Sequence, residues 1–393
     1  MKKLKIGIFN DSFYPMLDGV ITCIDNLGTL LLKDCDVTIF TVGSCKGKKD
    51  TQTHPYKVVK SKSLRIFFLD YNLPTPAFDK QFKKALDESN LDIVYIHSPI
   101  TIAKAGLKYA KKHNIPAVCH LHSQFWKDFY QNTKSKFLSN LLLKTIMRVF
   151  NKSDHAIAVN EFTKDLFINE YKLKIPTDVV YNATNMRPLE NLEDAKKVVN
   201  EKYQLTTDEK IFTFVGRLNK LKNIDLILDS LALLKEKYTN FKFLLVGGGK
   251  AEKYFKNKTK LLNLEDKVIF TGKVYDKELL KSIYARADLL LFPSHYDTDG
   301  IIKFEAASQG TPTVYVKGTG AASSIIDLET GFVAENNAQS FANKIYLAIN
   351  DEKLYKKVSE NCKTKLYRTW EDSAADVFSL LTKIVTESKE TTS

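Results

Sequence analysis

The chain has 393 residues, 44% of them hydrophobic and 27% charged, with a formal net charge of +13. That balance excludes a disordered chain, and the length suits two globular domains better than one. No run of about 18 apolar residues occurs, which excludes a membrane-spanning helix, and the N-terminal MKKLKIGIFN reads as a first strand rather than a signal peptide.

Short runs rich in Val, Ile and Phe recur in chain order. KIGIFN, DVTIFTV, LDIVYIHS, IPAVCHLHS and HAIAVNE come first; KIFTFVGR, FKFLLVGGG, KVIFTGKV, ADLLLFPS and TPTVYVKG follow. Each has the length of a strand buried on both faces, as in a parallel sheet. Helical patterns separate them: in IDLILDSLALLKEKY, Ile227, Leu231 and Leu234 share one face. The alternation predicts a parallel α/β fold.

The series breaks once, at the charged segment MRPLENLEDAKKVVNEKYQLTTDEK, which puts a domain boundary near residues 186–208. The expected domains are 1–185 and 186–365. A C-terminal helix within 366–393 is expected to pack back on the first domain and to end in a frayed polar tail, TESKETTS. Two Rossmann-like halves imply ligands at the carboxyl ends of the strands, in a cleft.

The charge is uneven. Residues 1–185 carry a net +10, and within 101–150 nine basic residues face one acidic residue. Such a local excess points to an anionic partner, a membrane surface or a nucleic acid. No RNA-binding signature with interleaved aromatics is present. The five cysteines are odd in number and form no CxxC pair, so their spacing indicates neither a disulfide framework nor a zinc site. They read as thiols in a reducing cytosol.

Two constellations carry chemistry. Gly216, Arg217 and Lys222, in FVGRLNKLKN, follow a strand and precede a helix, where two cations can hold a diphosphate. Asp297 to Glu305, in DTDGIIKFE, follow another strand. There Gly300, Ile301 and Ile302 present backbone N–H groups at a helix start, and Glu305 can accept from ribose hydroxyls. Asp297 and Asp299 also match a DxD metal motif, but in a different loop context. Gly247-Gly248-Gly249 reads as a tight turn near the nucleotide. Phe125 and Trp126 fit either an acceptor-side apolar patch or the core.

A third feature is the stretch NTKSKFLSNLLLKTIMRVFNK at 132–152. Phe137, Leu141, Ile146 and Val149 are interleaved with Lys134, Lys136, Lys144, Arg148 and Lys152. A basic amphipathic helix of this composition can lie on an anionic bilayer; the plainer reading is a domain helix with a solvated basic edge.

GRLNKLKN followed by DTDGIIKFEAASQGTPTV resembles the family-4 retaining glycosyltransferases, which have the GT-B fold: two Rossmann-like domains with parallel sheets facing across a cleft. FNDSFYPMLDGV, HLHSQF and LETGFV extend the resemblance over nearly the whole chain. It implies that Arg217 and Lys222 bind the donor diphosphate and that Glu305 holds the ribose. It implies that Asp297, where the family usually has Glu, contacts the donor sugar. Gly19 matches the glycine that lets backbone approach the phosphates, and His122 matches a cleft histidine near the sugar.

Within the family, HSPITIAKAGLKYAKKHNIP, HSQFWKDF and YDTDGIIKFEAASQGTP look most like bacterial diacylglycerol glucosyltransferases. The resemblance implies a nucleotide sugar, UDP-glucose, as donor, with no cofactor and no metal at the donor site. It implies a diacylglycerol acceptor and a peripheral place on the cytoplasmic face of a membrane. The alternative enzyme builds capsule or exopolysaccharide on a lipid-linked sugar. The non-enzyme alternative, an anionic-surface or nucleic-acid binding protein, leaves the donor constellation without a purpose.

Overall fold

The computed structural model describes residues 3–16, 18–43, 50–65 and 72–392. Cys45 lies outside the described residues. The chain forms two compact units, 1–182 with 370–393, and 183–369.

The first unit is built on a seven-stranded sheet. Its strands lie in the order Lys57–Ser61, Cys35–Val42, Leu4–Phe9, Ile93–Ile96, Ala117–Leu121, His155–Ala158 and Thr177–Val179. All neighbours are parallel. The second unit has a six-stranded sheet in the order Val268–Gly272, Phe241–Val246, Lys210–Val215, Leu289–Phe292, Thr313–Val316 and Phe332–Ala334, again all parallel. In both sheets the order runs outward from the unit's first strand and then reverses, the doubly wound arrangement. The ten apolar runs all become strands, and most of their residues are buried because helices cover both faces.

Three sheet strands are absent from that set: Lys57–Ser61, Thr177–Val179 and Phe332–Ala334. Each is short, at or next to a sheet margin, and too polar or too brief to stand out as a buried run. The segment 186–208 is not a bare linker. Asn191 caps the helix Leu192–Tyr203, its side chain accepting from Asp194 N at 3.2 Å, and this helix packs on Lys277–Arg286 in the second unit.

The polar C-terminal tail is helical rather than frayed: one helix runs Trp370–Thr392. Its buried residues Trp370, Ala374, Val377, Leu381, Ile384 and Val385 recur at helical spacing. It packs on the helix Gly19–Leu31, which buries Ile21, Ile24, Leu27 and Leu31. Ser373 Oγ also donates to Tyr181 O at 3.0 Å. Leu381 has no exposed surface. Leu381→Ala should therefore destabilise the first unit by about 2–5 kcal/mol, read as a lower urea midpoint, whereas alanine at exposed Leu261 should leave the midpoint nearly unchanged.

Candidate functional site

In the second sheet the order reverses between Lys210–Val215 and Leu289–Phe292. Ligands of doubly wound sheets bind outside the carboxyl ends of the strands at such a point. The two loops leaving these strands carry the donor-site candidates.

The first loop holds Gly216, Arg217 and Lys222. Asn219 caps its short 3₁₀ turn, accepting from Lys222 N at 3.2 Å. Asn223 Nδ2 donates to Pro293 O at 3.3 Å, which ties this loop to the next. Arg217 is exposed, and its guanidinium has no hydrogen bond or ion pair to a described residue. Lys222 differs. Its ammonium donates to both carboxylate oxygens of Asp297, at 2.5 and 2.7 Å. The expected pair of open cations is thus one open arginine and one lysine engaged with the residue expected to contact the donor sugar. The glycine triplet supports the same loop: Gly247 has φ +137, and a Cβ there would lie 1.9 Å from Gly216 O. Two strand ends approach so closely that only glycine fits.

The second loop holds Asp297 to Glu305. Gly300 has φ +81, and a Cβ there would lie 2.4 Å from the Phe292 ring. The helix that follows is Ile302–Ser308, and the N–H groups of Gly300, Ile301 and Ile302 precede its first bonded amide, that of Lys303. Glu305 accepts from the buried Tyr284 hydroxyl at 2.8 Å through Oε2. Part of Glu305's surface stays open, and the burial of the rest pushes its carboxyl pKa up. Burial and the neighbouring Glu305 push the Tyr284 phenol well above its ordinary value, so it stays protonated and donates.

Both carboxylates of DTD are committed to lysines. Asp297 holds Lys222, and Asp299 is buried in an ion pair with Lys303. Lys303 has no exposed surface; its ammonium also donates to Ser324 Oγ at 3.1 Å and Ala321 O at 3.3 Å. Lysine normally marks a solvated face, and the one local signal for this role is its spacing four residues after Asp299. Tyr284 was also missed, because it lies on a different helix.

In the first unit, Gly19 opens the helix Gly19–Leu31, with Asp18 as its cap accepting from Ile21 N at 2.9 Å; apart from its chain neighbours and its own helix backbone, no described residue comes within 4 Å of a Cβ built on Gly19. His122 follows the strand Ala117–Leu121. It stacks on His97, whose Nδ1 lies 2.9 Å from His122 Nε2, and burial pushes its pKa down to about 3. The imidazole is therefore neutral at physiological pH. Asp11 was not foreseen: it accepts from Ile100, Thr101 and Ile102 N at 3.1, 2.8 and 2.9 Å, supplying the N-cap that the helix Thr101–His113 lacks.

The basic helix spans Lys136–Phe150, capped by Ser135. Lys134, Lys136, Lys144 and Arg148 are exposed, and Phe137, Leu138 and Leu141 are 80, 41 and 49% exposed. Val149 does not share that face. It is buried with Met147 and Phe150 in the core, and Ile146 is half-buried against it. Phe125 packs on Phe150 and Phe167 in that core. Half-buried Trp126 stacks on Tyr130 and donates to Asn140 Oδ1 at 2.7 Å.

Two family models match this chain: "Glycosyltransferase Family 4" over residues 17–187 and "Glycosyl transferases group 1" over 196–365. The chain belongs to the family-4 glycosyltransferases. It is 26% identical to the alpha-monoglucosyldiacylglycerol synthase of Streptococcus pneumoniae, over 79% of this chain and 70% of that one. It is 24% identical to the enzyme of the same name from Acholeplasma laidlawii, over 89% of each. Among solved structures, sucrose-phosphate synthase from Thermosynechococcus elongatus superposes with a TM-score of 0.81 at 20% identity, over 98% of this chain and all of that one. HepE of Anabaena, in complex with UDP-glucose, gives 0.74 at 18%, over 97% of this chain and all of that one. The glycosyltransferase has the GT-B fold.

The Lys303–Asp299 pair is sealed, so removing Lys303 leaves the buried Asp299 charge without its counter-ion. Lys303→Met in this glycosyltransferase should cost about 3–5 kcal/mol by chemical denaturation. Adding Asp299→Asn should return part of the loss, because no buried charge then remains; a double variant no more stable than the single one would contradict this account.

Proposed function

We propose that this glycosyltransferase moves glucose from UDP-glucose, with retention at the anomeric carbon, to a diacylglycerol-class lipid at the cytoplasmic face of a membrane. The product would be a glycolipid of the lipoteichoic-acid-anchor type. The observation that carries the acceptor assignment is the exposed face of the helix Lys136–Phe150, where Phe137 and Leu141 stand among Lys144, Arg148 and the flanking Lys134 and Lys136. Two relatives named as monoglucosyldiacylglycerol synthases support it. So does an apolar cavity of about 860 Å³ in the first unit, lined by Leu73, Phe78, Phe82 and Leu86 with Lys83, Lys104 and Lys108 at its margin.

In this reading Arg217 and Lys222 take the charge that develops on the leaving diphosphate, helped by the amides of Gly300, Ile301 and Ile302. Lys222 turns from Asp297 to the phosphate, which frees Asp297 to accept from a sugar hydroxyl. Tyr284 occupies one oxygen of Glu305 and leaves the other for a ribose hydroxyl. In the first unit, Gly19 leaves backbone open to a phosphate and His122 offers a neutral imidazole to the sugar. No carboxylate is assigned as a nucleophile. Positioning and charge stabilisation carry the rate. No metal is assigned to the donor site, where lysines already neutralise Asp297 and Asp299.

Incubation with UDP-glucose and vesicles containing diacylglycerol should yield monoglucosylated lipid, detected by mass spectrometry, in preference to products from UDP-galactose or GDP-mannose. Arg217→Ala and Lys222→Ala should each lower kcat/KM by about 100-fold or more. Product only on a lipid-linked sugar would replace the diacylglycerol acceptor with that alternative, and near-normal turnover in both variants would sink the phosphate assignment.

The membrane face has its own test. Each basic residue close to an anionic surface contributes about 1 kcal/mol, and salt screens it. Changing Lys134, Lys136, Lys144 and Arg148 together to Gln should release the protein from anionic vesicles and cut lipid glucosylation, while slow hydrolysis of UDP-glucose stays unchanged. Undiminished sedimentation with the vesicles would show that this helix is not the anchor.

A further inference from the structure

Four side chains from distant parts of the first unit converge in one buried spot. Cys23 comes from the helix Gly19–Leu31, His97 from the end of the strand Ile93–Ile96, and His120 and His122 from within and just after Ala117–Leu121. One ligand-type atom from each lies within 4.8 Å of those of the other three. Cys23, His97 and His120 are almost fully buried, and His122 is partly open.

The hydrogen bonding there is incomplete. Nε2 of His97 and Nε2 of His120 are buried and have no hydrogen-bond partner among the described residues. For His120 the tautomer can be argued. Its Nδ1 lies 2.6 Å from the Tyr95 hydroxyl, and burial holds that phenol protonated. If the phenol donates to Nδ1, the neutral ring carries its proton on Nε2, which meets no acceptor among the described residues. A buried donor without an acceptor costs about 1–3 kcal/mol. A second buried ring nitrogen without a partner among the described residues, Nε2 of His97, belongs to the same cluster as the buried Cys23 thiol.

We propose that Cys23, His97, His120 and His122 form a binding site for a borderline-soft divalent ion of the zinc type. Three imidazoles and one thiolate are a four-coordinate zinc donor set, and they disfavour magnesium and calcium, which take oxygen ligands. Metal–ligand distances of about 2.0–2.3 Å space tetrahedral ligands roughly 3.3–3.7 Å apart, so no separation needs to close by more than about an ångström on binding. The Cys23 thiol loses its proton to solvent as the metal–sulfur bond forms; the imidazoles bind neutral, and no electron is transferred. With Nε2 of His120 on the metal, its Nδ1 carries the proton and donates to the Tyr95 oxygen, the outer-shell bond that metal-bound histidines usually make. His122 would bind through one nitrogen and keep the other for a hydrogen bond, in a fixed tautomer. The site joins helix to sheet at the carboxyl end of the strands. It does not rest on the acceptor or donor assigned above.

The full-length protein, purified after expression with zinc in the medium and washed with EDTA, should carry about one zinc per chain by mass spectrometry of the metal. After stripping, cobalt(II) should bind at about one equivalent with tetrahedral d–d absorption and a sulfur-to-cobalt charge-transfer band. Cys23→Ser should abolish the charge-transfer band, and His120→Gln should weaken cobalt binding at least about tenfold. Far-UV circular dichroism of each stripped variant establishes that it is folded. The parent protein decides the matter if either variant fails to fold: less than about a tenth of an equivalent of tight metal, or octahedral cobalt without the sulfur band, overturns the site. Cobalt binding unchanged in both folded variants overturns it equally.

Discussion

The ion pair between Lys222 and Asp297 joins the two loops that leave the centre of the second sheet, where the strand order reverses. Both side chains keep a fifth or less of their surface, so the pair is neither sealed nor fully solvated. Pairs near a surface are worth about 0–1 kcal/mol. A bond that weak can hold the two loops in register and still yield to a ligand with more charge. The Lys303–Asp299 pair, four residues apart on the same loop and helix, is fully enclosed. One Asp-x-Asp motif therefore supplies a partly solvated carboxylate and a buried one, and the buried pair is held by further hydrogen bonds from Lys303 to Ser324 and Ala321.

The first unit uses its reversal point differently. There the strand Leu4–Phe9 neighbours Ile93–Ile96, and the loop after the first strand sends Asp11 across to cap the helix after the other. A carboxylate at a helix N-terminus satisfies orphan amides and meets the positive end of the dipole. That position is filled by the protein's own carboxylate. The unit's charge lies farther along the chain, on a helix with no acidic residue between Lys136 and Phe150.

Particular residues show how legible this was. Ten apolar strands could be read because a strand buried on both faces has no polar side to interrupt the run. Lys57–Ser61, Thr177–Val179 and Phe332–Ala334 could not, because short or marginal strands need no such run. The tail after Ile384 looked frayed by composition, yet the helix continues through it. Val149 fits an apolar stripe by spacing and is core by packing, since the helix turns that face inward. Lys303 is the converse, a cation by type and a core residue by position.

The sequence by itself determined the α/β alternation, the family and the positions of Arg217, Lys222, Asp297 and Glu305, because periodicity and local motifs act over a few residues. Tertiary structure alone decided who pairs with whom. Lys222 meets Asp297 across 75 residues, Tyr284 meets Glu305, and Cys23 meets His97, His120 and His122 across 74 to 99. Such partners come together only when parallel strands, distant in the chain, lie side by side with their carboxyl ends aligned, and no short-range pattern records which strand will be the neighbour.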